Sequence, residues 1–386
     1  MIIQKNIILN AVTMKTLTLF TIITVFSLNT MATVRTVSNT PNVAQFTTIQ
    51  LAIDASANGD TVYVYGSPNE YAGFTILDKR ITVIGPGWAP NKNLPLTAIV
   101  NGVTLRDSPA AGSPSGSELH GLVFTGSIFL SRNQVGGDMP VNDIRVIRCQ
   151  FNGGVTWQLS DSGHLIEGCA FYNGLNFLSS ATYTNILFQN NIIFFSVCCI
   201  TTQINGLANS INVRFDHNLF FSSNNASGNN VTVFSGGTRF LTFTNNIFNQ
   251  ANVGLNVSLS TFNNNLTNNI SLNNANATSN ATPWDVNSNV NGGGNIANQN
   301  PQLTAQTTID AGNTSPVQNF AIVAGPAKNS GSDGKDMGLL FDATGSLNWN
   351  NSRNGRIPRI FSMNITTPTV APGANLSVTV DARKSN

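Results

Sequence analysis

The feature that most constrains this chain is a short pattern that returns six times between residues 146 and 271. It reads VIRCQF (146–151), LIEGCAF (165–171), FQNNII (188–193), FDHNLF (215–220), FTNNIF (243–248) and LTNNIS (266–271). Taking the Cys or Asn as an anchor gives Cys149, Cys169, Asn191, Asn218 and Asn246, then Asn269 or, equally well, Asn265. The first four steps are 20, 22, 27 and 28 residues, which suits a coil of three short strands joined by turns of unequal length. Columns three and two positions either side of the anchor are apolar: Val146, Ile166, Phe188, Phe215, Phe243 before it, and Phe151, Phe171, Ile193, Phe220, Phe248 after it. A third column, five before the anchor, reads Ile144, His164, Ile186, Val213, Leu241. Polar positions alternate with these columns, as a strand with one buried face requires. Stacked coils place equivalent residues above one another at roughly 4.8 Å. Asn at a turn then adopts left-handed geometry while its amide bonds the neighbouring coils. Neither a leucine consensus nor Trp-Asp signatures appear, which sets aside leucine-rich repeats and propellers.

Composition agrees with a stacked solenoid. Only 9% of residues are charged, against about 25% in an ordinary soluble protein. Yet 41% are hydrophobic, 23 of them Phe, so the chain has enough to bury. Asn alone accounts for 56 residues, available for ladders and turns. A net charge of +2 gives no reason to expect nucleic acid as a partner. No apolar run beyond residue 32 is long enough for a membrane span. The four cysteines, Cys149, Cys169, Cys198 and Cys199, are too few for a disulfide framework and read as buried thiols.

The two ends differ from the middle. Residues 17–28 form an apolar run after Lys15, followed by Asn29-Thr30-Met31-Ala32, the order of a secretory signal peptide over 1–32. Met14-Lys15 offers a second start for the same signal. The expected location is therefore secreted or at the cell surface. Thr47–Ala57 is amphipathic with a Thr to cap it, and predicts a helix covering the open first coil. Strands are expected at 61–66 and 80–87, with the solenoid running over 33–340. Residues 341–386 form a tail with two strand-like runs, IPRIFSMNI and NLSVTVDA.

The segment FTTIQLAIDASANGDTVYVYGSPNEYAGFTILDKRITVIGPGW resembles the start of pectin-lyase-like, right-handed parallel β-helix proteins. NPQL (300–303) and AGPAKNSGSDGKDMGLL (324–340) are similar to the run that closes many of them. With the repeat, the resemblance covers about residues 40–340. It implies an all-β, right-handed parallel β-helix with an N-terminal capping helix and short C-terminal strands. It does not imply one activity, because the same fold hosts lyases, hydrolases, epimerases and adhesins. The Asn-Thr-Asp, Asp-Asp, Gly-His-Gly and Arg-Ile-Lys motifs of its polygalacturonases are missing. The acids between 143 and 300 are Asp143, Asp161, Glu167, Asp216 and Asp285, few for a calcium lyase. No cofactor or metal site is expected. His164 reads as a core histidine, His120 beside Glu118 lacks further ligands, and the DGKD run at 333–336 reads as turn chemistry.

One charged cluster stands out. If register holds, Arg148, Glu167, Arg214, Asp216 and His217 fall on one exterior face, with Glu167 and Asp216 two coils and on the order of 10 Å apart. In an enzyme, Glu167 and Asp216 are the general acid and base, and Arg148, Arg214 and His217 hold substrate. The plainer alternative is a solvated charge ladder pairing Arg148 with Glu167 and Arg214 with Asp216. Trp157, Trp284, Trp349 and Tyr172 are candidates for stacking on sugar rings. Whether the chain is an enzyme stays open. The leading expectation is a monomer that binds extracellular polysaccharide; the alternatives are a polysaccharide lyase or hydrolase and a structural adhesin.

Overall fold

The computed structural model describes residues 32–383, leaving out 90–95, 111, 196–203, 223–230, 254–255, 269–280, 312, 314, 342–348, 350–358, 366–372 and 374–377. The export-type segment, Cys198, Cys199 and Asn269 lie outside the described residues.

The strands stack as the repeat dictates, into a parallel β-helix of three sheets. Sheet A has eleven strands, from Val34–Val37 through Arg145–Ile147 and Val213–Asp216 to Val290–Asn291. Sheet B has eight, from Ile99–Val100 to Leu266–Asn268, and sheet C six, from Phe74–Leu77 to Ile204–Asn205. The apolar columns pair residue on residue: Val146 with Ile166, Ile166 with Phe188, Phe188 with Phe215, Phe215 with Phe243 and Phe243 with Phe262. Successive rings stack nearly parallel, with centroids 4.7 Å apart for Phe188–Phe215 and 4.6 Å for Phe243–Phe262. That offset stacking follows from one side chain per coil at the inter-strand spacing.

The anchor column is continuous and settles the last coil in favour of Asn265. Asn218 shows its chemistry: Oδ1 accepts from the backbone and side-chain amides of Asn191, at 3.0 Å each. Its Nδ2 donates to Phe188 O (2.9 Å) and Asn246 Oδ1 (3.0 Å). Asn246, Asn265 and Asn295 repeat the arrangement. One expectation is corrected. The left-handed residue of each turn is the one before the anchor: Arg148, Gly168, Asn190, His217, Asn245 and Asn264 all have φ between 52° and 65°. The turn thus needs two residues with separate tasks, one to bend the chain and one to bond the next coil. On the N-terminal side the column carries Cys149 and Cys169, buried and unbridged, and the Cys149 N–H reaches only the Cys169 Sγ, at 3.4 Å. Burial pushes the Cys149 thiol up to about 12, beyond reach of the weak backbone donors around it.

Sheet B departs from simple alternation. Its inward residues, such as Phe151, Phe171 and Phe220, join the solenoid core. Its outward residues, Ala170, Ile192, Leu219, Ile247 and Leu266, are buried as well. They lie against Leu303, Ile309, Phe320, Met337, Leu339 and Trp349 in a second apolar cluster. The chain after the last coil therefore doubles back along sheet B. Asn264 Nδ2 donates to Ser330 O, Ser332 N donates to Asn245 Oδ1, and Leu340 N donates to Asn190 Oδ1. The path ends with Trp349 against Trp88, at 5.5 Å between rings, near the start of the solenoid. The run around 324–340 is a strap running across several coils, where the sequence suggested only a closing one.

At the other end the capping helix spans Ile49–Ala55, shorter than the expected 47–57. Thr48 Oγ1 accepts from Leu51 N (3.2 Å) and caps its start; Lys79 Nζ donates to Ile53 O (2.7 Å) at its end. Ile49, Ala52 and Ile53 face the core. A strand not expected from the sequence, Val34–Val37, pairs with Thr61–Val64 ahead of it. Beyond the strap, Arg359–Ile365 and Val378–Arg383 pair antiparallel. No helix of the described residues is long and apolar enough to cross a membrane.

Candidate functional site

The outer face of sheet A is the one on which the charged cluster was expected, and the register holds there. Arg145 pairs with Leu165, Leu165 with Leu187, Leu187 with Arg214, and Arg214 with Thr242. Two residues on, Ile147, Glu167, Gln189, Asp216 and Thr244 form the second outward column. Both columns point away from the core because the residues between them are the stacked apolar ones. Glu167 and Asp216 are thus two coils apart, separated by Gln189.

Their environments differ. Asp216 Oδ2 accepts from Gln189 Nε2 (3.2 Å) and Oδ1 from Asn245 Nδ2 (3.1 Å), so an amide orients each oxygen. Among the described residues it forms no ion pair with Arg214, which corrects the expected pairing; Arg214 is exposed. Glu167 is half-buried; burial raises its carboxyl above the ordinary range, against the opposing pull of Arg148 and Arg145. Arg148 is itself 7% exposed, and its stem lies over Gly168, where an added Cβ would come within 3.2 Å of Arg148 Cγ. Burial lowers the Arg148 guanidinium from its usual value, and Glu167 opposes the shift. Arg148, Arg145 and Glu167 form one charged group on adjacent coils.

His217 does not belong to an open patch. It is 2% exposed, with Nδ1 3.1 Å from Gly338 O and Nε2 3.3 Å from Asp333 Oδ2 and 3.1 Å from Asn245 Nδ2. The strap covers it, so its assignment to substrate binding is withdrawn. Asp333 and Asp336 serve the strap: Asp336 pairs with Lys328 at 2.9 Å and accepts from Asn329 N. Among the described residues no group of three or more His, Cys, Asp or Glu side chains is arranged to hold a metal. Trp157, Trp284 and Trp349 are buried, which removes them as sugar platforms; Tyr172 is partly buried against the outer cluster of sheet B.

One pair that the sequence named only as a poor metal site belongs to this face. Glu118 and His120 lie one coil before Arg145 and Ile147, in register with them, and Glu118 Oε2 is 2.7 Å from His120 Nε2. Their coil was passed over because its anchor is Leu122, whose carbonyl accepts from Gln150 N as Cys149 O does from Ala170 N. The signal available was the Glu-Leu-His alternation, which puts both polar groups on one side of a strand. The face therefore carries Glu118, Arg145 and Glu167 over three coils, with His120 buried beside Glu118, and Gln189, Arg214, Asp216, Thr242, Thr244 and Asn263 over the next four.

No family model matches the chain, and no curated protein does. Among solved structures it is similar to one described as the crystal structure of Escherichia coli ybhc, at 16% identity over 63% of this chain and 72% of that one, with a TM-score of 0.27.

Proposed function

We propose that this chain is an exported parallel β-helix protein that binds an extracellular polysaccharide along the outer face of sheet A. One observation carries the reading. The solenoid buries the outer face of sheet B under its own returning chain and leaves the outer face of sheet A to solvent, lined lengthwise with guanidinium, amide and hydroxyl groups. Arg145 and the exposed Arg214 give that strip a means of holding a carboxylate-bearing sugar. The long axis of stacked coils suits a linear polymer better than a small molecule. Retention of the purified protein on immobilised polygalacturonate and alginate is the test, with dextran as a neutral control. An Arg145→Gln/Arg214→Gln double variant should bind the acidic polymers more weakly. Absence of retention on all three, and on a broader glycan array, would contradict the reading.

A hydrolase or lyase is the second reading, favoured by the raised Glu167 carboxyl between Arg145 and Arg148 with the Glu118–His120 pair two coils away. Asp216, held by the amides of Gln189 and Asn245 two coils from Glu167, is the candidate partner acid. New reducing ends or ultraviolet absorbance from a polysaccharide, abolished by Glu167→Gln, would promote this reading above binding alone.

A further inference from the structure

The corner at which each coil enters sheet A carries a left-handed residue. Asp143, Gly163, Asn185 and Asn212 fill it on successive coils, and Ser288, next to the equally left-handed Asn287, fills it near the end. The first four tolerate positive φ, and Ser288 is small. On two coils the choice breaks down: Phe240 has φ 61° and Leu259 φ 50°. They are neighbours, since Thr242 pairs with Thr261 two residues further on. Bulky residues in this conformation are strained, and strain of this kind persists where something other than stability maintains it. Burial is no compensation here, because Phe240 is 48% exposed and Leu259 47%.

These two side chains stand at the rim of the sheet A face, beside the outward Thr242 and Thr261. On the opposite rim the strap docks on Asn245 and Asn264 through Ser332 and Ser330. Two exposed guanidiniums adjoin the apolar rim: Arg239, 5.4 Å from the Phe240 ring and bonded through Nε to Ala208 O, and Arg214 on the preceding coil. We propose that Phe240 and Leu259 are the stacking wall of the binding face, against which a uronate ring lays its C–H side while Arg214 and Arg239 take its carboxylate. This rests on the polysaccharide reading above and names the part of the face that selects the sugar. An aromatic ring offers a flat apolar surface to the C–H groups of a pyranose, and a guanidinium fork matches a carboxylate.

The test uses the purified protein and a Phe240→Asn/Leu259→Asn double variant. Asn accepts left-handed geometry, so this variant should unfold about 1–3 °C higher than the parent. It should also bind polygalacturonate at least about tenfold more weakly. Arg214→Gln/Arg239→Gln should weaken binding to polygalacturonate but leave binding to its methyl ester unchanged. Higher stability with weaker binding supports the wall. Unchanged affinity in the Asn variant overturns the wall and leaves the polysaccharide reading standing. A parent that binds no polysaccharide overturns both. A parent that self-associates, with a monomeric Asn variant of unchanged affinity, assigns the rim to a second copy of the chain and overturns the wall as well.

Discussion

Sheets A and B are built from the same coils and joined by the same two-residue turn, yet their outer faces have opposite fates. Along sheet B the residue after each anchor is Ala170, Ile192, Leu219, Ile247 and Leu266, and the chain returns to cover them. Along sheet A the outward positions hold Glu167, Gln189, Asp216, Thr244 and Asn263, and they stay at the surface. A solenoid leaves all of its outer faces open unless chain is spent on closing one. Here the closing segment has gone to the apolar side, and the polar side is left to meet a partner. The strained, exposed Phe240 and Leu259 stand on that open side.

The sharpest way to break the contrast is at the turn shared by both sheets. Asn218→Leu leaves the Asn191 N–H, the Phe188 carbonyl and the Asn246 Oδ1 each short of a partner in a buried column. The expected loss is about 4 kcal/mol of unfolding free energy, read by denaturant titration. Next in size, Leu219→Ala should cost about 3 kcal/mol because it opens a cavity beneath the strap. Thr242→Ala, one coil on and on the open face, should stay within about 0.5 kcal/mol. Equal costs for the two would mean that the faces are not distinguished as described.

A third effect depends on pH and lies in the coil of Trp157–His164. Burial pushes the Asp161 carboxyl up to about 8, although Oδ1 accepts from Ser131 Oγ and Val141 N. Its folded value exceeds its unfolded value, so the protonated form favours folding, and stability is lost as pH rises from about 4 towards 8. Asp161→Asn should therefore stabilise the protein by about 2 kcal/mol at pH 8 and by almost nothing at pH 4. His164, pushed down to about 3 by burial, has the opposite sign: its contribution is present above about 6.5 and lost as pH falls towards 3. The smallest effect concerns the strap. Partial burial works to raise the Asp333 carboxyl, but the Lys335 N–H, His217 and the Lys335 ammonium together hold it below its ordinary value. Its contribution is present above the ordinary carboxylate range and fades below it, so Asp333→Asn should cost a few tenths of a kcal/mol at pH 7 and nothing at pH 3.

The coils were legible because stacking forces like on like: a Phe above a Phe and an Asn above an Asn survive unequal turns. The double burial of sheet B went unread, although runs such as Ile192-Ile193-Phe194 and Leu219-Phe220-Phe221, where neighbouring apolar residues must face opposite ways, carry its signal. What could not be read was the covering partner, because the strap after residue 300 has no repeat to align. For the same reason His217 looked exposed: its column position is a turn, and only the strap, more than a hundred residues later, buries it. Glu118 and His120 were named from the sequence but not placed on this face, because the anchor of their coil is Leu122 rather than Cys or Asn. Phe240 and Leu259 looked like ordinary apolar residues until their positive φ and exposure marked them out.

The central claim is that the open face of sheet A is where this protein meets its polysaccharide. Hydroxyl-radical footprinting with and without polygalacturonate reads that claim residue by residue. Protection is predicted at Phe240, Leu259 and Leu187 on the sheet A side, with Phe129 on the outer face of sheet C labelled equally in both states. Protection of Phe129 and its sheet C neighbours, with Phe240 and Leu259 unchanged, would contradict it.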